Sequence, residues 1–149
     1  MKALVTGANG FTGSHLVKLL SAQGQTVIGL VRRTSDLSRL TDLDIELAYG
    51  DITDGVVLHQ AMENVDVVFH IAACVDLGIV DAARMQRVNV EGTCTVLEAI
   101  QAQENPPKLV YCSTIGIYGD TAGQVIDETY QRTQTGFSSA YDETKYKAQ

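Results

Sequence analysis

The chain has 149 residues, 45% of them hydrophobic, enough for one compact domain with a core of its own. A formal charge of −7 argues against nucleic acid or an anionic membrane as a partner, since both are drawn to clustered Lys and Arg, so any anionic ligand must be held by local geometry. Cys74, Cys94 and Cys112 are widely separated, odd in number and without metal-ligand spacing, which fits neither a disulfide framework nor a metal site and points to a reducing, cytoplasmic setting.

The first apolar, β-branched run, Ala3–Val5 within 2–6, begins almost at the first residue, and no stretch reaches the roughly 18 apolar residues of a membrane span. Similar runs follow at Val27–Val31, Ile45–Ala48, Val65–Ile71 and Leu109–Cys112, too continuous to leave one face in water, and they predict buried parallel strands. Helical spacing lies between them. Gly13, Leu16, Val17 and Leu20 form the first stripe, ended by Gly24; Val57, Leu58, Ala61 and Met62 form the second, with Thr53 or Asp54 as its cap. Met85, Val88, Gly92, Val96 and Ile100 form the third, and Asn105-Pro106-Pro107 separates it from the last strand. A final segment, 138–149, has Ser138 or Ser139 as its cap and reads as a helix of about three turns. Strand–helix alternation of this kind predicts an α/β fold, a doubly wound parallel sheet of the Rossmann type in the order 3-2-1-4-5. The architecture looks truncated after that helix.

Thr6-Gly7-Ala8-Asn9-Gly10-Phe11-Thr12-Gly13 leaves the first strand and opens the first helix. In that context Gly7 permits the tight turn, Gly10 lets backbone approach a pyrophosphate, and Gly13 lets the helix pack closely. The helix N-terminus offers free N–H groups and positive dipole to phosphates, with Phe11 and Thr12 in its first turn. The spacing is G-x-x-G-x-x-G rather than the more general G-x-G-x-x-G. About 20 residues beyond the turn, where an NAD site keeps a carboxylate, the chain has Val31, Arg32 and Arg33. A guanidinium at Arg32 suits an adenosine 2′-phosphate and favours NADP over NAD. Asp51 and Ile52, after the third strand, are placed to meet the adenine amino group and ring face. Ile71, Ala72 and Ala73, after the fourth, are small enough at the two alanines for a cofactor's backbone to lie close. His70, inside an apolar run, reads as a packed, hydrogen-bonded histidine rather than a base.

Six segments taken together, TGANGFTG at 6–13, GDITD at 50–54, VFHIAA at 68–73, NVEGT at 89–93, LVYCSTIGIYG at 109–119 and YDETK at 141–145, resemble the extended short-chain dehydrogenase/reductases, the NAD-dependent epimerase/dehydratase group. Within it, dihydroflavonol reductase-like and hopanoid-associated sugar epimerase-like members are the most similar. The resemblance covers the whole chain, as a dinucleotide-binding domain at 1–149 that includes the Tyr-Lys helix, the smaller C-terminal substrate domain being absent.

The resemblance implies that Tyr141 exchanges the substrate's hydroxyl proton while hydride passes to or from the nicotinamide, that Lys145 holds the nicotinamide ribose, and that Thr114 holds the reacting oxygen. Ser113 is the neighbouring alternative to Thr114. Asn89 falls at a position close to the cofactor, where it positions a backbone group or water. Tyr141 and Lys145 stand four apart and share a helix face, so the ammonium is expected to bring the phenol's pKa down toward working range. The implied substrate is a small molecule, a sugar nucleotide or a ketone or secondary alcohol, and the family often forms homodimers through this helix and the one around 81–103. The competing reading is a non-catalytic dinucleotide sensor. Such proteins commonly lack the Tyr or the Ser/Thr, and this chain has all three.

Overall fold

A computed structural model describes residues 1–75, 81–133 and 135–149. Five strands form one parallel sheet: β1 (Lys2–Thr6), β2 (Thr26–Val31), β3 (Glu46–Tyr49), β4 (Val67–His70) and β5 (Lys108–Tyr111), in the order β3-β2-β1-β4-β5. The sheet is the doubly wound one expected, with strand ends displaced by one to two residues. Because β1 pairs with β2 on one side and β4 on the other, chain direction switches there, and a crevice opens at the carboxyl ends of the strands.

Successive strand residues point to opposite faces, and each face has its own core. Leu4, Ile28, Leu30 and Val68 pack with Leu58, Met62, Val96 and Ile100 on one side. Ala3, Val5, Val27, Val31 and Val67 pack with Val17 and Leu20 on the other. Burying each of the larger side chains stabilises the fold by about 2 kcal/mol, which explains why the strands read as unbroken apolar runs.

The helices are α1 (Phe11–Ala22), α2 (Gly55–Ala61), α3 (Ala82–Met85), α4 (Gly92–Gln101) and α5 (Ala140–Lys147). Asp54 caps α2, accepting from the N–H groups of Val56 and Val57, and Ser139 caps α5, accepting from Asp142. These resolve both alternatives left open by the sequence. The third helix keeps its expected stripe, with Met85, Gly92, Val96 and Ile100 buried, but is not one continuous α-helix. A π-helical stretch, Gln86–Glu91, joins α3 to α4, and Asn89 within it is buried on the same side as Met85 and Thr93. Among the described residues no helix is long and apolar enough to cross a membrane.

Candidate active site

The crevice holds a cleft of about 500 Å³. Every wall is a segment leaving the carboxyl end of a strand or a helix packed beside it. The glycine turn follows β1, Arg32 follows β2, Asp51 and Ile52 follow β3, Ile71 to Cys74 follow β4, Cys112 follows β5, and Tyr141 enters from α5.

Steric necessity shapes the turn. Gly7 has φ +68°, and a Cβ there would lie 2.9 Å from the Ala72 backbone. A Cβ on Gly13 would lie 2.8 Å from the Gly7 carbonyl carbon and closer still to its oxygen. Gly10 N–H donates to Gly7 O at 3.0 Å, so Gly10 closes the turn and starts α1 without a side-chain cap. The first turn of α1 has no side-chain cap, and its residues Phe11, Thr12 and Gly13 line the cleft. Asn9 anchors the turn across the crevice, its amide donating to the Asp36 carbonyl at 3.3 Å.

All eleven residues expected from the turn, the strand ends and the small-residue run line this cleft: Gly7, Gly10, Phe11, Thr12, Gly13, Arg32, Asp51, Ile52, Ile71, Ala72 and Ala73. Arg33 does not; its guanidinium lies 5.8 Å from the Tyr49 ring centre. Asp51 also makes the local turn, accepting from the Thr53 N–H and hydroxyl. Among the lining residues that sequence reasoning did not assign to the site are Asn9, Ser35, Cys74, Arg84, Val88 and Cys112. Asn9 had a readable signal, a polar side chain inside the glycine turn. Arg84 had none, and Val88 was legible only as part of the apolar stripe of its helix.

The other expected residues stand behind the lining. Asn89, 2% exposed, clamps the segment after β4: its Oδ1 accepts from the Cys74 N–H at 2.7 Å and its Nδ2 donates to the Cys74 carbonyl at 3.0 Å. Nδ2 also donates to the Thr144 hydroxyl, which donates to the Tyr141 carbonyl, tying the cleft wall to α5. Thr114 accepts from the Gly116 N–H at 3.2 Å and so starts the 3₁₀ turn Ile115–Tyr118, while Ser113 accepts from the Gln149 amide.

Tyr141 lines the cleft, and Lys145, one turn on, is 2% exposed. The lysine ammonium donates to the Cys112 carbonyl at 2.7 Å and sits 4.0 Å above the Tyr111 ring centre. Burial brings its pKa down to about 8. The Tyr141 phenol is pushed up, first by burial, then by the Cys112 thiol and the Asp142 carboxylate. This reverses the direction expected from spacing. A shared helix face placed the two residues together, but the partners of Lys145 on β5 decided where its charge went.

His70 is buried and neutral, its pKa brought down to about 4 by burial and by Lys145. The Thr93 hydroxyl donates to the Asn89 carbonyl at 2.7 Å, so His70 Nε2 must donate to Thr93 and Nδ1 must accept from Thr6. The Thr6 oxygen in turn accepts from the N–H groups of Ile71 and Ala72 at 3.1 and 3.2 Å. One tautomer thus satisfies a continuous polar chain under the cleft, as a packed structural histidine requires.

A glycine turn on a helix N-terminus, at the switch point of a parallel sheet, is the arrangement of a Rossmann-type fold. The family model for the NAD dependent epimerase/dehydratase family matches residues 3–149, and the chain belongs to that family. It is 39% identical over 148 residues to a putative dihydroflavonol 4-reductase of Synechocystis, covering 97% of this chain and 42% of that protein. It is 36% identical over 157 residues to a 3-beta-hydroxysteroid dehydrogenase of Mycolicibacterium neoaurum, covering 99% and 41%. The crystal structure of Thermus thermophilus UDP-glucose 4-epimerase in complex with NAD superposes with a TM-score of 0.84 at 30% identity, covering 99% of this chain and 48% of that one. The chain spans less than half the length of these relatives.

Proposed function

We propose that this chain is the cofactor-binding part of an NADP(H)-dependent oxidoreductase or epimerase that moves hydride between a nicotinamide and a carbonyl or secondary alcohol. The observation that carries this reading is the convergence of Tyr141 and the glycine turn on one cleft. The cleft suits a dinucleotide: the turn leaves no room for a Cβ at Gly7 or Gly13, and backbone donors face inward from α1.

In this reading residues 7–13 hold the diphosphate, Arg32 the 2′-phosphate, Asp51 and Ile52 the adenine, and Ile71 to Ala73 the middle of the cofactor. When bound, the nicotinamide supplies the hydride chemistry. Tyr141, with its phenol pushed up, is protonated at neutral pH and is suited to donate to a carbonyl oxygen. Thr114 orients that oxygen, Lys145 holds the ribose, and Asn89 keeps the Cys74 wall and α5 in register. The substrate is a small molecule with a ketone or secondary alcohol, the sugar of a nucleotide sugar included.

Fluorescence titration with NADPH and NADH tests the binding half, with NADPH expected to bind more tightly. Tyr141→Phe should leave affinity within about twofold while lowering any carbonyl reduction by about 10²–10⁴-fold. Absence of binding by either dinucleotide, or undiminished turnover in the phenylalanine variant, refutes the reading.

A further inference from the structure

The Lys145 ammonium is an unusual buried cation. It is 2% exposed, yet the ion pair found among the described residues is Lys147–Glu143, and no carboxylate stands against Lys145. Its charge is met instead by the Cys112 carbonyl at 2.7 Å and the face of Tyr111 at 4.0 Å. An electron-rich ring face and one carbonyl can hold a desolvated ammonium, and both fix its position because they come from the end of one rigid strand.

Tyr111 is itself fixed. It is the last residue of β5, in register with His70, and the two rings lie 5.7 Å apart. Its hydroxyl is buried with no hydrogen bond of regular geometry, the Thr93 hydroxyl nearby giving only a weak contact, and burial pushes its pKa up to about 12. The ring therefore has a role that the hydroxyl does not share.

We propose that Tyr111 is a positioning residue for Lys145, its ring face and the adjacent Cys112 carbonyl together setting where the ammonium stands between β5 and α5. The functional consequence rests on the reading that Lys145 holds the nicotinamide ribose: a lysine already fixed in place loses less freedom when the dinucleotide binds.

The test compares wild type with Tyr111→Phe and Tyr111→Leu, using lysine labelled with ¹³C at Cε and the Lys145 signal assigned by its loss in Lys145→Met. Ring-current shielding should move the Lys145 ε-methylene protons upfield in wild type and Tyr111→Phe, and the shift should vanish in Tyr111→Leu. NADPH affinity should be kept within about twofold by phenylalanine and fall about tenfold in the leucine variant, the size of one desolvated cation–ring contact. An unshifted Lys145 signal in wild type overturns the proposal, and so does leucine binding NADPH as well as wild type. Equal damage by phenylalanine and leucine would also overturn it, by assigning the effect to the hydroxyl. If the leucine variant does not fold, wild-type and phenylalanine spectra still decide. If wild type binds no dinucleotide, the cofactor reading fails separately, and the ε-methylene shift alone settles the role of Tyr111.

Discussion

The two ends of the cleft are built on different principles. At the glycine turn, backbone does the work: Gly7 and Gly13 stand where no Cβ fits, and the donors are main-chain N–H groups whose direction follows from the path of the chain. At the Tyr141–Lys145 end, side chains do the work, held by groups far away in sequence: Cys112 for Lys145, and Asn89 for Thr144. The backbone end is set largely by the path of residues 7–13, with the Ala72 backbone closing it from the end of β4. A site made of side chains depends on what the neighbouring elements present to it, and its charges settle accordingly.

The sharpest way to break the first end is Gly13→Ala. The added methyl has only backbone to push against, so a stability loss of about 3 kcal/mol in urea unfolding is expected, with loss of dinucleotide binding. A variant that binds NADPH normally would show that the turn is softer than its geometry implies.

Between the two ends runs the buried chain through His70, which pH probes. Native His70 titrates near 4 rather than the usual 6.5, so the unfolded chain holds the extra proton in that window. Unfolding free energy should therefore fall as pH drops from about 6.5 toward 4, by up to about 3 kcal/mol from this group. Lys145 gives a slope of the same sign at higher pH. Its native pKa of about 8 lies below the usual 10.5, so the unfolded state holds more protons between them and stability should rise with pH across that range. Urea unfolding at a series of pH values, repeated with His70→Asn, would isolate the acid limb. A flat profile in wild type between pH 4 and 6.5 contradicts the neutral assignment.

Thr144→Val separates the ends more gently. It removes the hydroxyl that links Asn89 to the Tyr141 carbonyl, at a cost of about 1–2 kcal/mol, and should raise hydrogen exchange in α5 while leaving α1 protected. Equal acceleration in both helices would mean the two ends are one cooperative unit. The smallest effect expected is at Arg32. Arg32→Ala should weaken NADPH binding about tenfold and leave NADH within about twofold, as befits one charge-assisted contact with a phosphate. An unchanged preference would remove Arg32 from cofactor choice.

Much of this was legible in the residues themselves. The apolar runs of β1, β2 and β4 marked strands buried on both faces, as Leu4 and Val5 show by packing into opposite cores, whereas β3 and β5, also expected to be buried, are edge strands that leave Tyr49 and Val110 exposed. The caps were legible to within one residue, as Thr53 or Asp54 and Ser138 or Ser139, because a cap is a local bond to an N–H two or three residues on. The glycine turn and the residues after each strand could be assigned to one wall because parallel strands deliver their carboxyl ends to one edge. What could not be read was the third helix's π stretch, or the burial of Lys145 against β5.

Sequence alone thus determined the sheet order, the glycine turn and the residues gathered at the cleft, since the periodicity of the apolar runs and the alternation of strand and helix are legible along the chain. Only the tertiary structure decided that the Tyr141 phenol is pushed up rather than down, that His70 is a neutral tautomer in a buried chain, and that Lys145 rests on Tyr111 and a carbonyl. Those are matters of charge in a poorly solvated interior, where the energy of a group is set by whichever partners folding brings within a few ångströms.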